Sequence, residues 1–273
     1  MSKLQAEPAG RLEPFSPLGV VRRALRSREG LMVLSILVVL AAWEAYGRSH
    51  PLFTSYPTEI LAAAPRIFLP SLVPALGSTL TGYSVGLLLA IPAAIAIGVA
   101  MGRNRLVDLI LGPYVNALYV TPRIALIPLL VLWFGLDFRL RVAIVFLSAV
   151  FPIIVNTYAG MKEVDQALLD VGRVFTANRS QRLRTIVLPG SLPYIFTGLR
   201  LGVARALGGV IVAEMTASIS GIGRLLGNYG RFFKVGELFV TIITIGILGL
   251  VLTMGLAFIQ RRFAPWTAAA RAR

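Results

Sequence analysis

Long stretches without charged side chains dominate this sequence, and they restrict the chain to a membrane protein. Six runs are apolar enough and near the length needed to cross a bilayer, at residues 31–46, 78–101, 109–136, 142–161, 193–215 and 239–259. Only 14% of the residues are charged, which is far below the share in soluble domains. Because lipid cannot satisfy free backbone groups, the sequence predicts an all-α integral membrane protein with about six transmembrane helices.

The third run is interrupted, which predicts a broken helix. Pro113, Pro122 and Pro128 lack the backbone N–H that an interior helical position needs, and Arg123 adds a charge. We therefore expect a surface helix followed by a broken or short span. An arginine at such a position usually extends its guanidinium toward lipid phosphate, which is the role expected for Arg123.

Basic residues indicate the orientation of the chain. There are 27 Lys and Arg against 12 Asp and Glu, and in a membrane protein such an excess marks cytoplasmic loops more often than nucleic-acid binding. Most of the basic residues are cytoplasmic if the N-terminus is cytoplasmic. We therefore expect both termini on the cytoplasmic side, with polar tails at 1–29 and 263–273 flanking a transmembrane domain at 30–262.

The composition excludes several kinds of chemistry. Cysteine is absent and His50 is the only histidine, so thiolate metal sites, disulfides and cysteine nucleophiles are ruled out. We predict that His50 is solvated, and the sequence offers no metal site. It also lacks a G-x-x-x-x-G-K-[ST] segment, so this chain does not bind ATP in that way.

The longest interior loop, residues 162–190, predicts two helices joined by a turn. Apolar residues recur with helical spacing in its first half, at Val164, Ala167, Leu168, Val171, Val174 and Phe175. Asn178, followed three residues later by Gln181, predicts the start of a second helix. We expect that helix to stop at Pro189 and Gly190, because proline cannot continue the hydrogen-bond ladder. The apolar face of the first helix could be covered by the membrane surface, by the protein's own spans or by a groove on a partner.

This loop resembles the EAA loop of the permease subunits of binding-protein-dependent ABC importers. The resemblance is carried by Leu169-Asp170-Val171-Gly172, by Thr176 and by Ile186-Val187-Leu188-Pro189. In the family pattern, Glu-Ala-Ala stands where this chain has Asp170, Val171 and Gly172, and a turn glycine stands at Thr176. Threonine resists the positive φ that glycine permits.

Further segments extend the resemblance over residues 56–266 and favour the nitrate, sulfonate and taurine branch. They are residues 122–136, 192–202 and 213–215 with 221–223, similar to that branch's third span, fifth-span entry and following segment. The resemblance implies a type I ABC importer permease fold in the bacterial cytoplasmic (inner) membrane. It also implies a non-enzymatic chain that forms the path for a small anionic solute, such as nitrate, a sulfonate, taurine or a similar organic acid.

The partners implied by the resemblance are a second permease copy in a homodimer, two cytoplasmic ATPases and an extracytoplasmic solute-binding protein. No cofactor is implied for this chain, because ATP and Mg bind to the partner ATPase. The residues that the resemblance assigns to ATPase coupling are Ala167, Leu168, Asp170, Val171, Gly172, Phe175, Thr176, Ile186 and Pro189.

Arg200, Arg205 and Glu214 lie within the fifth apolar run, where each charge near the middle of a span costs about 2.5 to 3.5 kcal/mol. Arg200 and Glu214 are about four helical turns apart, so they cannot touch within one helix. Two interpretations stay open: structural pairing with other helices, or contact with an anionic substrate in a translocation path. A different class of protein, an ATP-independent secondary transporter or channel, would use the three residues as an ion relay.

Two further patterns carry weaker expectations. Gly82, Gly86 and Gly98 recur on the second run with a spacing that permits close helix approach, although glycine is common in such spans anyway. Residues 218–237 predict either a re-entrant gate element or an interfacial helix that contacts the binding protein.

Overall fold

The computed structural model describes residues 28–51, 53–217 and 220–263, and the regular structure within them is helical. The first helices are α1 (Arg28–Ser49), α2 (Pro57–Ile67), α3 (Val73–Arg103), α4 (Arg105–Val120) and α5 (Ile127–Phe134). They are followed by α6 (Phe138–Lys162), α7 (Gln166–Val174), α8 (Arg179–Arg182), α9 (Leu188–Ala217), α10 (Ile222–Arg231) and α11 (Val235–Phe263). Residues 1–27 and 264–273 of the predicted tails lie outside the described part of the chain.

The chain divides after Glu59 into two units. In the first unit, most of the apolar side chains of α1 are exposed, which suits a helix surrounded by lipid. The end of α1 is tied to the residues that follow it. The Glu44 carboxylate accepts hydrogen bonds from the Thr58 backbone N–H at 3.1 Å and the Thr58 hydroxyl at 2.6 Å. The Trp43 indole N–H donates to the Ser55 carbonyl at 2.8 Å.

In the second unit, α6 packs along both α3 and α9. Gly82 of α3 lies opposite Arg141 of α6, and Gly98 lies opposite Thr157, so these two helices run parallel. Against α9 the order reverses, since Gly198 lies opposite Asn156 and Gly209 lies opposite Ser148. Helices α6 and α9 are therefore antiparallel.

A parallel α3 and α6 require the chain to cross back once between them, and the broken third run provides that crossing. Helices α4 and α5 are bent by 93° at a break after Val120, and a single 3₁₀ turn at Arg123–Leu126 links them. Thr121 before Pro122 is extended, as expected for a residue that precedes proline. Within the described residues, five helices are long and apolar enough to cross a membrane, and the bent pair makes a sixth. The predicted six spans and broken third span agree with this arrangement.

Small residues allow α3 and α6 to approach closely. A Cβ on Gly86 would overlap the Val145 side chain and lie 3.0 Å from the Val142 carbonyl oxygen. Ala90 and Ala94 continue the same face and are fully buried. The glycine spacing is therefore a packing feature of this helix pair, as the close-approach interpretation predicted.

Two further contacts join the remaining helices to this centre. Ile127 and Leu130 of α5 pack into a buried cluster with Leu140 and Ile144 of α6 and Ala213 of α9. The Tyr83 hydroxyl of α3 donates to the Val203 carbonyl of α9 at 2.8 Å.

The bundle has two ends that differ in content. The starts of α3 and α6 and the end of α9 meet beside α10, and we call this the α10 end. The end of α6 and the start of α9 meet at the loop that contains α7, and we call this the α7 end. Residues 218–237 were predicted as a gate element or an interfacial helix. In their described part they form α10, which packs on α9 and α11.

We expect Gly86→Ala to lower the stability of the folded chain by about 1 to 3 kcal/mol, because the added methyl overfills the contact with α6. Thermal unfolding of the purified chain in detergent measures this effect. Gly77→Ala on the same helix is the matched control, since a Cβ there has no neighbour within 4 Å. Equal melting temperatures for the two variants would contradict the packing argument.

Candidate functional site

Residues at its two ends determine where helix α7 begins and where it ends. The Asp165 side chain caps it by accepting a hydrogen bond from the Ala167 backbone N–H at 2.8 Å. The chain then leaves the helix through Phe175 and Thr176, and Thr176 has a positive φ of 54°. This is the left-handed conformation that glycine adopts freely and that a β-branched residue rarely occupies. Thr176 thus takes the conformation that a turn glycine would favour.

The second half of the loop begins with the predicted cap but does not end as predicted. The Asn178 side chain accepts from the Gln181 N–H, and the Gln181 side chain accepts from the Asn178 N–H. The expected stop at Pro189 and Gly190 is wrong, because the helical path runs without a break from Arg179 to Ala217. A wider π-helical turn at Leu183–Val187 precedes Pro189 and accommodates its missing N–H. The loop therefore continues directly into span α9.

Gly172 fixes α7 against this continuous helix. It is buried, and a Cβ at this position would lie 2.8 Å from Ile186 Cδ1 and 3.3 Å from Arg182 Cγ. Two of the predicted coupling residues, Gly172 and Ile186, are thereby brought together. A larger residue at this position would have to displace the side-chain ends of Ile186 and Arg182.

The other faces of α7 are exposed, including its apolar side chains. Leu168, Val171, Val174 and Phe175 are all exposed, and Phe175 retains 78% of its accessible surface. Asp170 and Arg173 form an ion pair at 2.6 Å beside them. An exposed pair of this kind contributes little stability on its own. The α7 end thus presents an exposed apolar helix face, and α7 contacts the following helix at Gly172.

Glu214 lies at the α10 end, buried in a polar cluster with only 1% of its surface exposed. Its carboxylate accepts hydrogen bonds from the Thr79 hydroxyl at 2.8 Å and from the Gly223 N–H at 3.0 Å. The Thr79 hydroxyl in turn accepts from the Ile222 N–H at 2.9 Å. Arg141 places a guanidinium nitrogen 3.9 Å from the carboxylate. Glu214 therefore pairs with other helices, as the structural interpretation predicted.

Arg141 is a partner that the sequence does not reveal, because it lies just before the predicted fourth run at 142–161. It belongs to the first turn of α6 and is only 7% exposed. It donates to the Ser78 hydroxyl at 3.0 Å and to the Ser220 hydroxyl at 2.8 Å. The sequence feature that could have indicated this is Asp137. Its side chain caps α6 by accepting a hydrogen bond from the Arg139 N–H, so the helix begins before Arg141.

Gly221 closes the cluster. Its φ of 110° belongs to a region essentially restricted to glycine, and a Cβ there would overlap the Glu214 carboxylate. The turn into α10 is thus held directly on the end of α9.

The three charges predicted for a translocation path do not meet one another. Arg200 donates to the Gln260 side chain of α11 at 3.1 Å. The Arg205 guanidinium lies 5.0 Å from the centre of the Tyr119 ring. Within the described residues, no contact joins either arginine to Glu214. The geometry therefore supplies no continuous relay through these three side chains.

His50 is exposed, as predicted, and its ring stacks on Tyr46 at a centroid distance of 4.6 Å.

We expect Thr79→Val to destabilise the chain by about 1 to 3 kcal/mol, because the Ile222 N–H and the Glu214 carboxylate each lose a buried partner. The measurement is the shift in melting temperature in detergent. Thr253→Val is the matched control, since that hydroxyl bonds only to carbonyls of its own helix. A shift for Thr79→Val no larger than that of the control would refute the role of the cluster.

Comparisons with known proteins identify a family that this chain resembles. The model for "binding-protein-dependent transport system inner membrane component" matches residues 86–269. The chain is 29% identical to the putative aliphatic sulfonates transport permease SsuC of Bacillus subtilis, over 96% of this chain and 98% of that protein. It is 31% identical to the taurine transport system permease TauC of Escherichia coli, over 86% and 89% of the two chains.

A solved structure supports the fold. The chain matches the MetNI methionine ABC transporter in an inward-facing conformation with a TM-score of 0.56 and 17% identity, over 74% of this chain and 98% of that one. Since the family model covers most of the chain, the chain belongs to the binding-protein-dependent inner membrane permeases of ABC importers.

Proposed function

We propose that this chain is the permease subunit of an ATP-driven importer for a small anionic solute. A separate solute-binding protein delivers the solute, and ATP hydrolysis by a separate ATPase is coupled through residues 162–190. Two relatives support a sulfonate-type solute, since they are named as permeases for aliphatic sulfonates and for taurine. The absence of a phosphate-cradling motif in this sequence supports an ATPase on another chain.

One observation carries the coupling proposal: an apolar helix face that is exposed on a helix held to the rest of the chain at Gly172. Leu168 and Val171 lie on α7 and Phe175 caps its end, with spacings of three and four residues, so the three form one stripe. An amphipathic helix that lays such a stripe into a groove is a recurring mode of protein recognition. The groove we propose belongs to the ATPase.

The attachment of α7 explains how motion would reach the membrane. A displacement of α7 passes through the Gly172–Ile186 contact into the helix that continues as α9. Helix α9 packs along α6, which in turn packs along α3. Rigid-body rocking of the three packed spans would then open the permease alternately to the two sides of the membrane.

Assembly and orientation follow from the same proposal. We propose a homodimer with both termini in the cytoplasm, which places the α7 end inside and the α10 end outside. The concentration of Lys and Arg in the segments at the α7 end supports this orientation. The binding protein would then dock at the α10 end.

We expect Phe175→Ser to weaken retention of the ATPase by at least about tenfold, because buried aromatic anchors dominate helix-in-groove interfaces. The chain is purified in mild detergent from native membranes, and the copurifying ATPase is quantified per permease. Asp170→Lys should also lower retention, because it reverses a charge on α7.

The matched control for this experiment is Phe232→Ser, an equally exposed phenylalanine at the α10 end, 72% exposed. It should leave ATPase retention unchanged. A permease that purifies alone in every form, and that still moves solute in vesicles without ATP, would overturn the importer proposal in favour of a secondary transporter or channel.

A further inference from the structure

Two arginines converge on one tyrosine at the break between α4 and α5. Arg123 donates from Nη2 to the Tyr119 carbonyl at 3.2 Å, across the break. Arg205 of α9 lies over the ring of the same Tyr119 at 5.0 Å. The 3₁₀ turn that carries Arg123 also contacts α9. An anion beside the two guanidinium groups would favour the charged form of both.

The described residues supply no such anion. Each ion pair found among them involves other arginines or Lys162, and none joins Arg123 or Arg205 to a carboxylate. Nε of Arg123 is buried and has no hydrogen-bond partner. Nε of Arg141 is likewise buried without a partner, but Nη1 of Arg141 meets Glu214 and two serines at the α10 end. The Arg123–Arg205 pair is therefore a cationic site with unused donors.

The pair also lies far from both ends of the bundle. At 1.5 Å per residue, Arg205 is about 25 Å along α9 from Leu188 and about 18 Å from Ala217. Its side chain is exposed, whereas the neighbouring Ala206 and Leu207 are buried. The extension of Arg123 toward lipid phosphate stays a prediction, and here its Nη2 donates to the Tyr119 carbonyl. Broken membrane helices commonly place polar groups at substrate sites.

We propose that Arg123 and Arg205, both in contact with Tyr119, form a binding site for the oxyanion group of the transported solute, an inference that rests on the proposed importer function. Guanidinium forks match the geometry of sulfonate and carboxylate oxygens and bind them through paired hydrogen bonds. The site recognises the charged group common to a class of solutes and leaves the rest of the molecule to the binding protein.

The absence of cysteine makes this site directly testable. Gly208→Cys places a thiol three residues after Arg205 on the same helix face, where a Cβ meets open space. In membranes that contain the assembled complex, the thiol is treated with an anionic sulfonatoethyl methanethiosulfonate or a cationic trimethylammonioethyl methanethiosulfonate. The extent of reaction is read from a mass shift of the tagged chain. Gly230→Cys at α10, also in open space, is the matched control.

We expect the anionic reagent to react faster at Gly208→Cys, and the rate ratio to fall by about tenfold when Arg123→Gln and Arg205→Gln are added. The ratio at Gly230→Cys should not change. Ethanesulfonate in solution should slow the reaction at Gly208→Cys only while both arginines are present. The proposal would be overturned if the thiol at position 208 reacted with neither reagent while the control thiol reacted. It would also be overturned if the ratio of the two reaction rates did not change when the arginines were replaced. Anion selectivity without protection by ethanesulfonate would identify a lipid headgroup as the occupant and reject the solute.

A measurement of solute uptake distinguishes failure of the proposed arginine site from failure of the proposed importer function. The purified complex is reconstituted in liposomes with its binding protein, and ATP-dependent uptake of taurine and ethanesulfonate is measured. The uptake rate of the double glutamine variant should be at least about tenfold lower than that of the wild type. A double lysine variant should retain part of the uptake, because the positive charge remains while the paired guanidinium donors are lost. Basal ATP hydrolysis reports assembly. If the glutamine variant takes up solute as well as the wild type does, the site is rejected. If the thiol experiments give the expected results but the wild type takes up neither solute, only the proposed solute class is rejected.

Discussion

The close approach of α6 to α3 and α9 is the contact on which the rest of this protein depends. Lipid offers no hydrophobic driving force between helices, so their association relies on van der Waals packing and on polar contacts. Gly86, Ala90 and Ala94 remove the side chains that would hold α3 away from α6. The same register sets Gly82 opposite Arg141, which brings that guanidinium to Ser78 at the α10 end.

The two ends of the bundle use their side chains in opposite ways. At the α10 end, Glu214, Thr79 and Arg141 are buried and hydrogen-bonded, so the turn into α10 is held in one conformation. At the α7 end, the apolar face of α7 is exposed while Gly172 holds the helix on its neighbour. A buried, hydrogen-bonded cluster stabilises the fold, whereas an exposed apolar helix face is suited to a partner.

Some features of the site could be predicted from the sequence because their causes are local. The cap at Asn178, the amphipathic stripe of α7 and the broken third span each follow from residues close together in the chain. The predicted helix end at Pro189 is wrong, because a π-helical turn a few residues earlier allows the helix to continue through the proline. Arg141 was missed because its role depends on Glu214, which lies more than seventy residues away.

The sequence by itself determined the class of this protein, which is helical and membrane-embedded, and it contains no cysteine for thiol chemistry. Those conclusions depend on composition and on periodicity, which are local properties of a chain in lipid. Only the tertiary structure decided which intramembrane charges are paired. Glu214 meets Arg141, while Arg205 and Arg123 each contact Tyr119, because these contacts depend on how α4, α6 and α9 lie against one another. Distances between side chains on different helices are set by packing, which no segment of sequence encodes alone.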